Sequence, residues 1–278
     1  RHIEETKLCD THEHLRGEDV WVNQGPDILQ DLFGQYPKAD LVVAGASEEA
    51  VRRLLDASDP DIASRFRGVE KAWEAMRRTG YGEAVSILAR EIYGLPELTP
   101  EGLAKAAGRG AELQRPGERL RLLRDVARLD HVQVDHFSWS CLPDQSGPEF
   151  FLYDLSWADF CSGRINVDRL HGETGIRIRG LSDLDDAMAA IVAKYGPLAI
   201  AAKSQHAYNR TLKWEPRLRS DAEAALRRIL WFPDDVRAED RLCLGDWCTA
   251  RGVELMIQYN LPLKIHTDYY AGYGRMPV

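Results

Sequence analysis

Short apolar runs separated by helix-length segments are the feature that most limits how this chain of 278 residues can fold. The later runs alternate with segments whose apolar residues recur at spacings of three and four, which is typical of helices packed on one face. Parallel strands need crossovers of this length, so the pattern predicts parallel βαβ units in an α/β fold. The predicted strands are residues 6–10, 131–137, 150–155, 198–203 and 261–267, and the helices between the later ones are 183–195, 221–229 and 238–251.

The stretch from about residue 20 to residue 129 shows apolar residues at helical spacing and is predicted to be helical with loops. Thr99 followed by Pro100 indicates a helix start, with threonine as the N-cap and proline in the first turn. We therefore expect one domain over residues 1–278 with a helical insertion at approximately 20–129. The segments with the clearest helical periodicity are 48–55, 69–78, 84–92 and 117–129.

The first and the last predicted strands lead into histidines that suit metal binding. The first runs into His12 and His14, and residues two apart in an extended chain project from the same face. Both imidazoles can therefore reach a single cation at the end of the strand. His266 follows the last strand in the same way. The alternatives are solvated loop histidines for the pair and an ordinary core or rim histidine for His266.

A lysine, Lys203, ends the fourth predicted strand directly after an apolar run. Burial of its charge without a partner costs on the order of several kcal/mol. Three solutions remain open: a partner carboxylate, conversion of the amine to a carbamate that bridges two metal ions, or a lysine that binds substrate.

Four further residues are candidates for substrate binding. His136 lies at the end of the second strand, and Tyr208 and Arg210 follow Lys203. The guanidinium of Arg210 can receive a substrate carboxylate through two hydrogen bonds, and an ordinary salt bridge is the alternative. Tyr270 belongs to an aromatic, glycine-containing loop after His266 that suits a cover over a pocket.

Three motifs of the chain, residues 10–15, 202–210 and 261–267, resemble those of the amidohydrolase superfamily and occur in the same order. They look closest to its amidohydrolase 2 branch, which includes amidohydrolase-like domains fused to glutamine-synthetase-like proteins. The resemblance runs from strand one to strand five and is diffuse in the helical region. It implies a (β/α)8 TIM-like barrel with one or two divalent cations, zinc or alternatively manganese.

The resemblance also assigns roles to individual residues. It implies that His12 and His14 bind metal, that His266 binds metal or positions water, and that Lys203 bridges two metals in some branches. The family further uses a histidine from strand six and an aspartate from strand eight, usually the general base. Since a closed barrel needs eight strands, we expect the native polypeptide to continue for ~100 residues or more. An open sheet that is complete with five strands is the alternative.

Composition excludes several other classes of function. The net charge is −8 without basic clusters, which argues against nucleic-acid or anionic-membrane binding. No apolar run approaches the ~20 residues of a membrane span, and the first residues lack the apolar stretch of a signal peptide. The five cysteines form no Cys-x-x-Cys pair, so we expect reduced thiols in a cytoplasmic protein.

The sequence therefore predicts a metal-dependent hydrolase of the amidohydrolase type that acts on a small polar, carboxylate-bearing molecule through metal-activated water. A decarboxylase or a uronate-isomerase-like enzyme on the same barrel is the first alternative, and an inactive, truncated barrel that serves as a binding module is the second. A homo-oligomer is left open. The assigned residues are Lys203 and His266 for catalysis, His12, His14, Lys203 and His266 for metal, and His136, Tyr208, Arg210 and Tyr270 for substrate.

Overall fold

The computed structural model describes residues 5–267, and its centre is a five-stranded sheet. Every neighbouring pair of strands is parallel, and the order in the sheet is the order in the chain. The sheet curls into a half-barrel, which confirms the predicted α/β fold with about five barrel strands. The strands are β1 (Leu8–Glu13), β2 (Leu129–Val134), β3 (Phe151–Ser156), β4 (Ala201–Ser204) and β5 (Leu263–Ile265).

Two compact units divide the described residues: 5–16 with 123–267, and 17–122. The second unit contains α1 (Glu18–Gln24), α2 (Ile28–Phe33), α3 (Pro37–Val43), α4 (Glu48–Leu54), α5 (Ile62–Arg67), α6 (Glu70–Met76), α7 (Gly80–Glu91), α8 (Pro100–Ala106), α9 (Arg109–Leu113) and α10 (Glu118–Arg121). The sheet unit contains α11 (Ala158–Cys161), α12 (Val167–Thr174), α13 (Leu181–Tyr195), α14 (Arg219–Trp231) and α15 (Ala238–Gln258). The single domain over residues 1–278 stays a prediction.

The helical unit of residues 17–122 has an apolar core of its own, in which Leu29, Phe33, Leu54, Phe66 and Leu103 are fully buried. Its α8 begins as predicted, because the Thr99 hydroxyl accepts a hydrogen bond from the Gly102 amide at 3.1 Å and Pro100 opens the helix.

The helix predicted over residues 117–129 is found over residues 118–126. The structure has the short α10 followed by a π-helical segment, Leu122–Val126. Arg128 then takes a positive φ of 59° and the chain enters β2 at Leu129. The helix therefore ends three residues before the predicted end.

Register across the sheet places several charged side chains on its concave face. Ser156 pairs with Lys203, and Lys203 pairs with Lys264, so these side chains and that of Asp154 project from one face. The Nζ of Lys264 donates to the Thr11 carbonyl at 3.0 Å. A side chain of β5 reaches β1 in this way because the sheet curls around the face that carries it.

The longest helix of the sheet unit, α15, packs closely against the region that follows β3. A Cβ added at Gly252 would overlap the indole nitrogen of Trp157, and one added at Gly245 would overlap the Cys161 carbonyl oxygen. The Trp157 indole is buried and donates to the Cys248 carbonyl at 3.4 Å. Glycine at these two positions therefore lets the helix backbone approach its neighbours.

The remaining differences from the predicted elements lie at element ends. The strand predicted over 198–203 begins only at Ala201, because Gly196–Leu198, with Pro197 in its first turn, is a 3-10 turn. Of the cysteines, all five are free thiols and Cys141, Cys161 and Cys248 are buried. Across residues 5–267 no helix combines the length and the apolar character needed to cross a bilayer.

Candidate metal and substrate site

The histidine pair at the end of β1 is shaped by an irregularity in the ladder with β2. Asp10 pairs with Val132 and Glu13 with Val134, so β1 has one residue more than β2 over this interval. Such a bulge redirects side chains, and bulges are frequent beside functional sites. The rings of His12 and His14 lie edge to face with centroids 4.6 Å apart. The structure therefore brings the two predicted metal ligands together.

The ring of His14 is held from two sides. Its Nδ1 lies 2.8 Å from the Asp135 carbonyl oxygen, which can only accept, so Nδ1 carries the proton and Nε2 presents a lone pair. Phe137 stacks on the ring at 4.5 Å between centroids. A backbone carbonyl on the second ring nitrogen is the usual way in which a metal-binding histidine is oriented.

A residue that the sequence analysis missed, Gln205, contacts both histidines. Its buried side-chain amide nitrogen lies 3.0 Å from His14 Nε2 and 3.4 Å from His12 Nε2. It donates to these lone pairs, as an NH₂ group must. The only signal in the sequence was its position two residues after Lys203, at the end of β4.

The two histidines differ in environment. Burial, together with the positive charge of Lys203, lowers the pKa of His12 to about 4. His12 is therefore neutral at neutral pH, which is the form that binds metal ions. Its Nδ1 is buried without a hydrogen-bond partner among the described residues.

Lys203 lies on the concave face of the sheet, where the charges of two buried carboxylates act on it. Its side chain is buried, and burial lowers its pKa while the charges of Asp135 and Asp154 act in the opposite direction. Lys264 donates to both carboxylate oxygens of Asp154, at 2.8 and 3.0 Å. The choice for Lys203 among a partner carboxylate, a metal-bridging carbamate and a contact with substrate stays a prediction.

Asp135 is the second functional candidate that sequence reasoning missed. It follows β2 directly and is 1% exposed, and burial raises its pKa. One carboxylate oxygen accepts from the Phe137 amide at 2.8 Å, and the other is buried without a partner in the part of the chain described. The signal available in the sequence was an aspartate directly after a predicted apolar strand, but the neighbouring His136 was chosen instead.

His266 follows β5 and packs against Tyr208, with ring centroids 4.6 Å apart, so the structure brings these two predicted residues together. It does not bring His266 into a three-ligand group with His12 and His14. Within residues 5–267, the three-membered group whose ligand atoms all lie within 4.8 Å of one another is a different one. The Gln205 amide, rather than the His266 ring, lies against the Nε2 atoms of the pair.

The residues present suit a divalent cation at the His12–His14 pair. Two imidazoles, one of them held neutral and one oriented by a carbonyl, are the donors that zinc and related ions prefer. The unpartnered Nδ1 of His12 and the unpartnered Asp135 oxygen are buried polar atoms of the kind that a bound group satisfies.

Arg210, a predicted substrate contact, forms an ion pair within the sheet unit. Its guanidinium is nearly buried and bonds Asp246 at 2.7 Å and the Cys161 carbonyl at 3.3 Å. Arg217 bonds the other oxygen of Asp246 at 2.8 Å, which makes the group a structural ion-pair network. The salt bridge, which was the alternative for this residue, is therefore present, and contact with a substrate carboxylate stays a prediction.

Of the two other predicted substrate contacts, the structure describes only one. His136 is exposed and stacks on Tyr153 with ring centroids 4.6 Å apart, and its contact with substrate stays a prediction. Tyr270 lies outside the described residues. The nearby His206 is fully buried, with its Nδ1 against the Ser204 hydroxyl, and therefore does not line an open site.

The comparisons with known proteins give a fold and no family. No family profile matches this chain, and no curated protein matches it. Among solved structures the chain is similar to the uronate isomerase of Thermotoga maritima, with a TM-score of 0.74 and 12% sequence identity. The match covers 95% of this chain and 60% of that one. At this identity the likeness shows a shared fold alone, and this chain spans about three-fifths of the length of that protein.

Proposed function

We propose that this chain carries one wall of the active site of a metal-dependent sugar-acid isomerase. The observation that carries the proposal is the likeness of fold to a uronate isomerase over 95% of the chain. This choice reverses the order of preference given by the sequence alone, in which hydrolysis came first. The site residues support the choice, because they supply the groups that an aldose–ketose isomerisation of a uronate requires.

Isomerisation moves a proton from one carbon to the next while the hydroxyl and carbonyl oxygens exchange roles. A group that takes and returns this proton works best when its pKa is close to the operating pH. Asp135 suits this role, because burial raises its pKa in that direction and one of its oxygens has no partner in the described chain. We assign it as the residue that moves the proton.

The substrate carboxylate requires a cation that is not already neutralised. Lys264 donates hydrogen bonds to both carboxylate oxygens of Asp154, so its charge is already paired. Lys203 lies on the same face one strand away and is assigned to hold the carboxylate. A divalent ion at His12 and His14 supplies polarisation of the carbonyl when it is bound.

The test uses the full-length native protein loaded with zinc or manganese and incubated with hexuronates in heavy water. Nuclear magnetic resonance should show conversion of aldose to ketose with deuterium at the carbon that exchanges its proton. Asp135→Asn should lower the rate by ~10²- to 10⁴-fold, the usual contribution of a general base. Asp168→Asn, at an exposed position in α12, is the matched control and should leave the rate unchanged. Unchanged turnover in Asp135→Asn contradicts the assignment.

Hydrolysis is the second candidate, and Lys203 favours it. Burial lowers the pKa of this lysine, and a neutral amine is the form that reacts with carbon dioxide to give a metal-bridging carbamate. Mass spectrometry of products from an amide and carboxylate panel separates the possibilities. Added water indicates hydrolysis, loss of carbon dioxide indicates decarboxylation, and an isomeric product indicates the proposed reaction. A native protein without bound metal would instead favour a binding module.

A further inference from the structure

A second cluster of metal-binding side chains lies at the amino ends of β1 and β2. The ligand atoms of Cys9, Asp130 and His131 all lie within 4.8 Å of one another. Cys9 and His131 are direct register partners in the parallel ladder, so the thiol and the imidazole project from the same face of the sheet. The cluster is therefore built by strand pairing and not by a flexible loop.

The three donors are a thiol, an imidazole and a carboxylate. His131 Nδ1 lies 3.0 Å from the Asp130 carboxylate, and the Gln133 amide lies 3.2 Å from His131 Nε2. Cys9 and Asp130 are exposed and His131 is half-buried, so an ion can enter without unfolding. A thiolate in the set favours a borderline-soft ion such as Zn²⁺ over Mg²⁺ or Ca²⁺, which prefer oxygen ligands.

This cluster is separate from the histidine pair. Cys9 precedes His12 by three positions along β1, which corresponds to roughly 10 Å of extended chain. The pair lies towards the carboxyl ends of the strands, where catalytic groups of parallel barrels sit. The opposite end of such a barrel serves stability, and that is where Cys9, Asp130 and His131 lie.

We propose that Cys9, Asp130 and His131 bind one Zn²⁺ ion as a structural clip, with water as the fourth ligand. The Cys9 thiol releases its proton to solvent and binds as the thiolate. The clip joins β1 to β2, which are separated in the chain by the whole helical unit of residues 17–122. Closing so long a segment lowers the conformational entropy of the unfolded chain and fixes the edge strand β1 to its neighbour.

Cobalt(II) is the probe, because a thiolate bound to it gives a charge-transfer absorption in the near ultraviolet that histidine and carboxylate sites lack. We expect this absorption at one equivalent in the native full-length protein and in the His12→Ala/His14→Ala variant. We expect it to be lost in Cys9→Ser and retained in Cys243→Ser, which removes a half-buried thiol elsewhere. Cys9→Ser and His131→Gln should each lower zinc affinity by ~10-fold or more.

The same spectra overturn the proposal if the native protein shows no thiolate band or if Cys9→Ser retains it. Circular dichroism of each variant checks the fold, and His131→Gln gives an independent measure should Cys9→Ser fail to fold. Since the His12→Ala/His14→Ala variant lacks the proposed active-site ligands, loss of isomerase activity in that variant does not affect this result.

Discussion

His12 and His14 are two residues apart and yet stand in different electrostatic surroundings. A histidine in an unfolded chain titrates near ~6.5, whereas burial and Lys203 lower the pKa of His12 to about 4 in the native state. Between these two values the unfolded chain binds more protons, so the contribution of this residue to stability is lost as the pH falls through the interval. It is fully present above the unfolded value.

We therefore predict that the His12 ring in the metal-free protein titrates with a midpoint of about 4 in a side-chain nuclear magnetic resonance experiment. Assignment of the resonance comes from its absence in His12→Gln. Lys203→Met should raise the midpoint, because it removes a nearby positive charge, and Lys213→Met at an exposed position should not. A native midpoint near the unfolded value contradicts the buried position of this ring.

At the residue scale, the sequence predicts which residue types stand at strand ends better than it predicts their burial and contacts. His12, His14 and Lys203 were found because their types and strand-end positions carry a signal that needs no partner. Asp135 and Gln205 become candidates only through burial and through contacts with residues more than a hundred positions away. The ion pair of Arg210 was not predictable either, since its partner Asp246 lies in α15, which nothing in the local motif reveals.

At the scale of elements, α15 shows how two glycines fix the distance between a helix and its neighbours. We predict that Gly252→Ala lowers the free energy of unfolding by about 1–3 kcal/mol, since the added methyl overlaps the buried Trp157 indole. Gly172→Ala is the control, because Gly172 lies exposed in the helix α12 and its added methyl meets no atom within 4 Å. It should stabilise the protein by about 0.5–1 kcal/mol.

Chemical denaturation of both variants measures this difference, and equal effects of the two substitutions would show that α15 is not closely packed at Gly252. The helix itself was predictable from periodicity, and the structure extends it from the predicted residue 251 to Gln258. Its close approach was not, because a glycine inside a helical pattern signals only an energetic cost until its neighbour is known.

At the scale of the whole sheet, the fold was predictable because parallel strands with helical crossovers allow few topologies. The five strands fall where the apolar runs predict them, to within a few residues at their ends. The charges inside the half-barrel were not predictable as pairs. Lys264 stands in β5 and Asp154 in β3, and only the curl of the sheet brings the lysine to Asp154 and to the Thr11 carbonyl together.

This lysine links three strands, so its removal tests the half-barrel as a unit. Lys264→Met leaves the fully buried Asp154 carboxylate without its partner, and we expect a loss of about 3–5 kcal/mol in the free energy of unfolding. Burial already raises the pKa of Asp154 against the effect of Lys264, and the substitution raises it further. When the pKa of Asp154 is higher in the native state than in the unfolded chain, the native state binds more protons, and stability falls as the pH rises. The loss of stability in Lys264→Met should therefore grow from acid to neutral pH.

Denaturation of Lys264→Met and of the double variant Lys264→Met/Asp154→Asn at several pH values measures both effects. The double variant should recover part of the loss, because the amide carries no charge, and its stability should follow that of the native protein with pH more closely. Lys213→Met, at a side chain 77% exposed, should change stability little. A deficit in Lys264→Met that does not vary with pH would mean that packing of the lysine stem, rather than its charge, holds β5 to β3 and β1.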